Sequence, residues 1–136
     1  IQVTTLAGGE LALVFNPMSA DGARERRASL YDEIDDGDDR KEPVVTHGRA
    51  AFWGAPRAPM TVAISPDGGK SWPWQRHLDE GDGYCMTNNS LEKLNREFSY
   101  PSIKQGPDGA LHIAYTYFRQ AIKYVRVTPE WVKESI

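Results

Sequence analysis

The stretch Ser65-Pro66-Asp67-Gly68-Gly69-Lys70-Ser71-Trp72 decides the fold class of this sequence. The carboxylate of Asp67 can accept backbone N–H bonds inside a tight turn, as Asx side chains do. Glycine adopts the backbone angles that such a turn requires, and Trp72 supplies a large apolar surface that packs the turn onto its neighbours. The stretch therefore predicts a β-hairpin fastened by its own side chains, with a structural role and no chemistry.

The segments on either side of this turn are predicted to be β-strands. Met60–Ile64 leads into the turn and Trp72–Leu78 leaves it. An N-terminal hairpin pairs Ile1–Leu6 with the apolar run Leu11–Phe15 across a glycine turn. Three more strands are predicted at Phe98–Gln105, Ala110–Phe118 and Ile122–Val127. A helix is predicted to begin at Thr128, with proline at its first position. Hairpin connections without a βαβ rhythm indicate an all-β fold of antiparallel sheets, four strands and then three.

A long insertion at about residues 18–56 separates the second strand from the third. We expect it to be partly solvated, with a short helix around Arg24–Ile34, because loops of this length are usually functional or poorly ordered. Its acidic run Asp32–Asp39 does not fit an EF-hand loop, since Ile34 and Pro43 fall at calcium-ligand positions. The run is therefore interpreted as solvated charge.

Composition excludes several classes of protein. The 136 residues are 40% hydrophobic and 26% charged, which fits one folded domain. The net charge of −3 gives no general attraction to nucleic acid or to anionic membranes, and the apolar runs are too short to span a bilayer. A single cysteine excludes an internal disulfide, and His112 has no second ligand at metal-binding spacing. We expect no cofactor, no metal, no nucleic acid and no membrane partner.

The chain resembles the C-terminal part of a bacterial sialidase-like six-bladed β-propeller of the BNR-repeat type. Residues 65–72 match the Asp-box pattern Ser-x-Asp-x-Gly-x-Ser/Thr-Trp. The resemblance is also carried by residues 11–16, by residues 57–64 running into the Asp box, and by residues 97–103 with 106–109 and 122–125. It implies that the Asp box joins the third and fourth strands of a blade, away from the active mouth.

The resemblance also implies that the 136 residues are a fragment. Six blades of four strands need about 24 strands, whereas the seven predicted here make about two blades. The last blade lacks a fourth strand, which in such propellers commonly comes from the other end of the chain. We therefore expect residues 1–136 to be the C-terminal part of a propeller domain. Missing blades, or self-association, would then cover its unpaired strand edges.

Tyr100 is the main catalytic candidate, because the resemblance places it where sialidases keep a tyrosine nucleophile. Their substrate carries a carboxylate at the anomeric carbon, which would repel a second anion. A phenol is neutral, but its pKa of about 10 means that it needs a partner base. Glu97 can face the same pocket and act on a proton. The alternatives are a core tyrosine at position 100 and a solvated acid at position 97.

Three further side chains are candidates for substrate binding. Arg57 can clamp a carboxylate, because a planar guanidinium binds that group in a bidentate manner. Arg119 lies in a predicted turn that can reach substrate at the mouth of a propeller. Asn16, at the end of a strand, can hydrogen-bond a sugar hydroxyl. The alternatives are two solvated surface arginines and an asparagine that only caps its strand.

The resemblance implies an exo-glycoside hydrolase that acts on a carbohydrate substrate with a terminal acidic sugar and retains its configuration. The general acid and the remaining arginines would lie outside this chain, so the isolated fragment is expected to be inactive. Fold does not fix function by itself. The alternatives are a non-catalytic carbohydrate-binding propeller and a propeller used for protein contacts.

Overall fold

The computed structural model describes residues 1–18, 44–46, 49–51, 54–84 and 94–134. Within these ranges the chain forms nine strands and one short helix. They are β1 (Gln2–Thr5), β2 (Leu11–Phe15), β3 (Val44–Thr46), β4 (Arg49–Ala51), β5 (Met60–Ser65), β6 (Trp74–Asp79), β7 (Phe98–Gln105), β8 (Leu111–Tyr117), β9 (Ala121–Val127) and α1 (Pro129–Lys133). All strand pairs are antiparallel, which confirms the all-β prediction.

The first sheet has four strands in the order β1-β2-β5-β6. The insertion therefore enters between the second and third strands of this sheet. Every residue of β5 is buried, because the strand is internal to the sheet and both of its faces are covered. This sheet has the strand number and the antiparallel order of one propeller blade.

The second sheet has three strands in the order β7-β8-β9. Buried side chains of both sheets form one hydrophobic core with Val132 of the helix. At the side of this core, Asp79 of β6 accepts hydrogen bonds from the Tyr115 hydroxyl (2.5 Å) and the Lys123 ammonium (2.7 Å). Burial is the main reason that the pKa of Tyr115 lies well above its usual value, and the hydrogen bond to Asp79 adds to the rise. A polar contact thus ties the sheets together beside the apolar core.

The Asp67 turn has the predicted geometry and connects β5 to β6. The Asp67 carboxylate accepts hydrogen bonds from the Ser71 hydroxyl (2.6 Å), the Ser71 backbone N–H (2.9 Å) and the Ser65 hydroxyl (2.9 Å). The two bonds from Ser71 are the main reason that the pKa of Asp67 lies below its usual value. Gly69 has a φ of 91°, which favours glycine. The turn joins the third and fourth strands of the sheet, as predicted.

The insertion and the two predicted helices had different outcomes. Strands β3 and β4 pair as a small separate hairpin inside the insertion, where we predicted no strand, because three-residue strands are too short to show a period. The helix predicted around residues 24–34 lies outside the described residues. The helix predicted at Thr128 is confirmed, since the Thr128 hydroxyl caps α1 by accepting from the Trp131 N–H at 3.1 Å. No helix in the described ranges has the length and apolar character needed to cross a membrane.

Candidate functional site

Strand register brings the candidate residues to one end of the two sheets. In β2 and β5, Phe15 pairs with Thr61 and Leu11 with Ser65, so the Asp67 turn is at the end opposite Asn16. Asn16 donates a hydrogen bond to the backbone oxygen of Phe98 at 3.1 Å, which joins this end to the start of β7. The residues that share this end are Asn16, Arg57, Glu97, Tyr100 and Arg119.

A β-bulge turns Tyr100 away from the core. Strand β7 pairs regularly with β8 up to Ser99 and again from Ser102, and the two residues between them stand opposite a single residue of β8. Tyr100 has a φ of 51°, a left-handed conformation that is uncommon for a non-glycine residue. Its side chain is 71% exposed. Bulges re-aim side chains in this way, often beside active sites, and Tyr100 is consequently not a core residue.

A recess of about 250 Å³ opens on one side of Tyr100, and we call it the Arg57 recess. The Arg57 guanidinium lies 5.6 Å from the centroid of the Tyr100 ring. The amide nitrogen of Asn16 donates to the backbone oxygen of Pro59 at 3.0 Å as well as to that of Phe98. The lining residues are Ile1, Asn16, Arg57, Ser99, Tyr100 and Pro101. An exposed phenol, a guanidinium and an amide therefore face one small space.

A second recess, the Arg119 recess, opens on the other side of Tyr100 with a volume of about 420 Å³. Arg119 enters it from the turn between β8 and β9, where Phe118 and Arg119 have φ values of 55° and 52°. Two successive left-handed residues define a tight hairpin turn that usually contains glycine or asparagine. The lining residues are Tyr100, Thr116, Arg119, Gln120, Ala121 and Ile122. Tyr100 is thus the wall that the two recesses share.

Glu97 is a buried carboxylate between the two arginines. Its side chain has no solvent exposure, whereas those of Arg57 and Arg119 are 35% and 29% exposed. Arg119 Nε donates to Glu97 Oε1 at 2.5 Å, and the Ser99 hydroxyl donates to the same oxygen at 3.3 Å. Arg57 Nε lies 4.0 Å from Oε2. Among the described residues, no hydrogen bond reaches Oε2.

The backbone around Arg57 is held by two neighbouring segments. Phe98 N–H donates to the Arg57 oxygen at 2.8 Å, and Arg57 N–H donates to the Gly83 oxygen at 3.3 Å. Gly83 has a φ of 65°, and a Cβ placed on it would lie 2.7 Å from the Arg57 nitrogen. Only glycine allows so close an approach. Gly83 was not among the predicted site residues, although the dipeptide Asp82-Gly83 is a turn signal.

Two hydroxyl residues of the site were also missed. Ser99 and Thr116 stand opposite each other in β7 and β8, and their hydroxyls share a short hydrogen bond. Thr116 Oγ1 also lies 3.1 Å from the Ser99 backbone oxygen, so its proton has two acceptors within reach. Their roles depend on strand register, which no local pattern reveals. Pro101, in contrast, does carry a signal, because proline inside a strand marks a bulge or an edge.

The comparisons with known proteins give one family. A family model described as a BNR repeat-like domain matches residues 1–113, which is more than half of the chain. Domains of this type occur in sialidase-like glycosidases and in related proteins. No curated protein and no solved structure matches the chain. Among the described residues, no group of three or more His, Cys, Asp or Glu side chains is arranged to hold a metal ion.

Proposed function

The chain belongs to the BNR repeat-like family, and on that premise we propose that it contributes part of the active site of a sialidase-like exo-glycoside hydrolase. The substrate is a carbohydrate that ends in an acidic sugar. The observation that carries the proposal is the position of Tyr100, exposed on a β-bulge beside the Arg57 guanidinium. A neutral nucleophile next to a cation suits an anionic sugar.

In this proposal the Tyr100 oxygen attacks the anomeric carbon while the bond to the leaving-group oxygen breaks. The leaving group takes a proton from an acid outside this chain, and water later releases the sugar with retained configuration. In sialidases, a tyrosine replaces the carboxylate nucleophile that most glycosidases use. Glu97 as the acceptor of the phenol proton stays a prediction, supported by its buried Oε2, which no described residue hydrogen-bonds.

Arg57 and Asn16 hold the terminal sugar in this proposal. Arg57 binds the carboxylate, because guanidinium–carboxylate hydrogen bonds are charge-assisted and directional. Asn16 already donates to the backbone oxygens of Pro59 and Phe98, so its amide is fixed at the rim of the Arg57 recess, where its oxygen would accept from a sugar hydroxyl. Arg119 faces the substrate from the other side of Tyr100, where it can donate hydrogen bonds.

Substitution Arg57→Gln in the complete protein tests the acidic-sugar assignment. We expect it to weaken the affinity for an acidic glycoside by about 10- to 100-fold, since a hydrogen bond to a charged group contributes about 1.5–3 kcal/mol. Affinity for the matching carboxamide glycoside should stay within about twofold. Arg126→Gln is the control, because Arg126 pairs with Asp108 on the surface. Equal losses for both glycosides would refute the carboxylate-clamp role.

A carbohydrate-binding protein without hydrolase activity is the second candidate. The observation that favours it is again the exposed ring of Tyr100, because an exposed aromatic face beside polar groups binds sugar by stacking without any reaction. Binding of an acidic glycoside without release of its leaving group, measured on the complete protein, would select this function over hydrolysis.

We also propose that residues 1–136 are the C-terminal part of a larger propeller. Among the strands that the structure describes, none lies beside β9 on its outer edge, and β9 exposes Ile122 and Tyr124. Strand β1 exposes Val3. Unpaired edges with exposed apolar residues drive association. The isolated chain is therefore expected to elute as oligomers or aggregates in size-exclusion chromatography. A monodisperse monomer with one cooperative unfolding transition would contradict the proposal.

A further inference from the structure

The backbone of Tyr100 has a conformation that its residue type does not favour. Its φ of 51° brings the Cβ atom close to the carbonyl oxygen that follows it, which is unfavourable for residues other than glycine. Pairing between β7 and β8 stops at Ser99 and resumes at Ser102, and Pro101 has no N–H to donate. A residue in such a conformation keeps it only when its surroundings determine it. The bulge therefore needs a support in addition to the regular strand pairing.

The hydroxyl of Thr116 contacts the backbone at the start of this bulge. Thr116 stands directly opposite Ser99, shares a short hydrogen bond with the Ser99 hydroxyl and lies 3.1 Å from the Ser99 backbone oxygen. A carbonyl oxygen only accepts and a hydroxyl has one proton, so Thr116 donates to the carbonyl and accepts from the Ser99 hydroxyl. The Ser99 proton also serves Glu97 Oε1 at the longer distance of 3.3 Å. Thr116 thus binds the peptide group that joins Ser99 to Tyr100.

We propose that Thr116 is a positioning residue that holds Tyr100 in its left-handed conformation. A peptide group is a rigid plane, so a hydrogen bond to the Ser99 carbonyl fixes one side of the bond whose rotation is the φ of Tyr100. Thr116 acts in this way through the backbone and not on the reacting atoms. Its effect on catalysis rests on the proposed function, whereas its effect on the backbone of Tyr100 does not.

The contact is shielded from water, which makes the hydroxyl of Thr116 difficult to replace. Ser99 is only 2% exposed and Thr116 is half-buried. A hydrogen bond that is lost in the interior is not restored by solvent. Valine has the same branched shape as threonine and suits a strand equally well, so the hydroxyl is the feature that this position uses. Without it, we expect Tyr100 to return to a conformation that its Cβ atom favours.

Crystal structures of two variants of the complete protein test the effect on the backbone. Thr116→Val keeps the shape of the side chain without its hydroxyl, and Thr116→Ser keeps the hydroxyl without the methyl group. We expect Tyr100 to have a negative φ, or more than one conformation, in Thr116→Val and to keep the positive φ in Thr116→Ser. A single left-handed Tyr100 in Thr116→Val would overturn the proposal, whether or not the protein hydrolyses sialosides.

The kcat of the same variants on an aryl sialoside tests the effect on catalysis. Thr116→Val should lower kcat by about 10- to 100-fold, because a reacting group displaced by about 1 Å can lose about a hundredfold in rate. KM should stay within about threefold, since Arg57 and Asn16 still bind the sugar. Thr116→Ser should keep at least about half of the wild-type kcat. A merely structural role would lower the stability of both variants without separating their kcat values.

Thr61→Val is the matched control. Thr61 is buried and its hydroxyl is hydrogen-bonded to His77 Nδ1 at 2.8 Å, so the substitution removes a buried hydroxyl that does not contact the Ser99–Tyr100 peptide. It should keep the wild-type kcat and a left-handed Tyr100. Thr116→Ala is a second variant without the hydroxyl and should behave as Thr116→Val does, should the latter not fold. A wild-type kcat in Thr116→Val or Thr116→Ala would overturn the proposal. A wild type that does not hydrolyse sialosides would instead refute the proposed function, and the φ of Tyr100 in the variants would still decide the role of Thr116.

Discussion

Substitution Tyr100→Phe is expected to lower kcat on an aryl sialoside by about a thousandfold or more, as removal of a covalent nucleophile does in other enzymes. The substitution removes one oxygen atom and keeps the ring. Because the side chain is 71% exposed on a bulge, the loss of its hydroxyl should not change the stability of the fold. KM should stay within about threefold, since the phenyl ring still separates the two recesses.

Release of the aryl group, followed by absorbance in the complete protein, measures this effect. Tyr124→Phe is the matched control: Tyr124 is also exposed, and its hydroxyl contacts His112 Nδ1 at 2.6 Å, outside the site. We expect this control to keep wild-type kcat. A Tyr100→Phe protein with unchanged kcat would show that Tyr100 is not the nucleophile, and the role of Tyr100 would then be limited to binding.

Substitution Arg119→Ala is expected to destabilise the protein by about 3–5 kcal/mol, the cost of removing one partner from a buried ion pair. It leaves the Glu97 carboxylate fully buried and, among the described residues, with only Ser99 Oγ at 3.3 Å and Arg57 Nε at 4.0 Å beside it. An uncompensated buried charge is unfavourable because it has lost the hydration of the unfolded state. Urea unfolding followed by tryptophan fluorescence measures the loss.

Two further variants make this test specific. Arg126→Ala removes a surface arginine whose pair with Asp108 has the same kind of contact, at 2.8 Å, and water screening makes such pairs weak. The double substitution Glu97→Gln with Arg119→Ala removes both charges and should recover most of the stability lost by Arg119→Ala alone. An Arg119→Ala protein as stable as Arg126→Ala would contradict the ion-pair role of Glu97.

The sheets could be predicted because their signals are local. The Asp67 turn carries its own hydrogen-bonding partners within eight residues. The apolar runs Leu11–Phe15 and Met60–Ile64 indicate β2 and β5, and the turn itself predicts the partner strand β6. The start of α1 was predictable for the same reason, since the capping Thr128 and the proline that follows it are neighbours in the sequence. The hairpin of β3 and β4 was missed, because three residues are too few to show the two-residue alternation of a strand.

The site was only partly predictable, because its geometry depends on contacts between distant segments. Tyr100 was chosen by resemblance, but the bulge that exposes it follows from the register of β7 on β8. The burial of Glu97 could not be predicted, since acidic residues are rarely buried without a partner and that partner, Arg119, lies 22 positions away. The role of Gly83 could not be predicted either, because it depends on the close approach of its backbone to that of Arg57.

The most direct measurement asks which atom of the complete protein becomes bonded to the sugar. A sialyl fluoride with a second fluorine at C3 reacts with a retaining glycosidase but leaves it slowly, so the covalent intermediate accumulates. Mass spectrometry of the digested protein should find one sugar unit on the peptide that contains Tyr100, and none after Tyr100→Phe. A sugar attached to a different residue, in a protein that hydrolyses sialosides, would contradict the assignment of Tyr100.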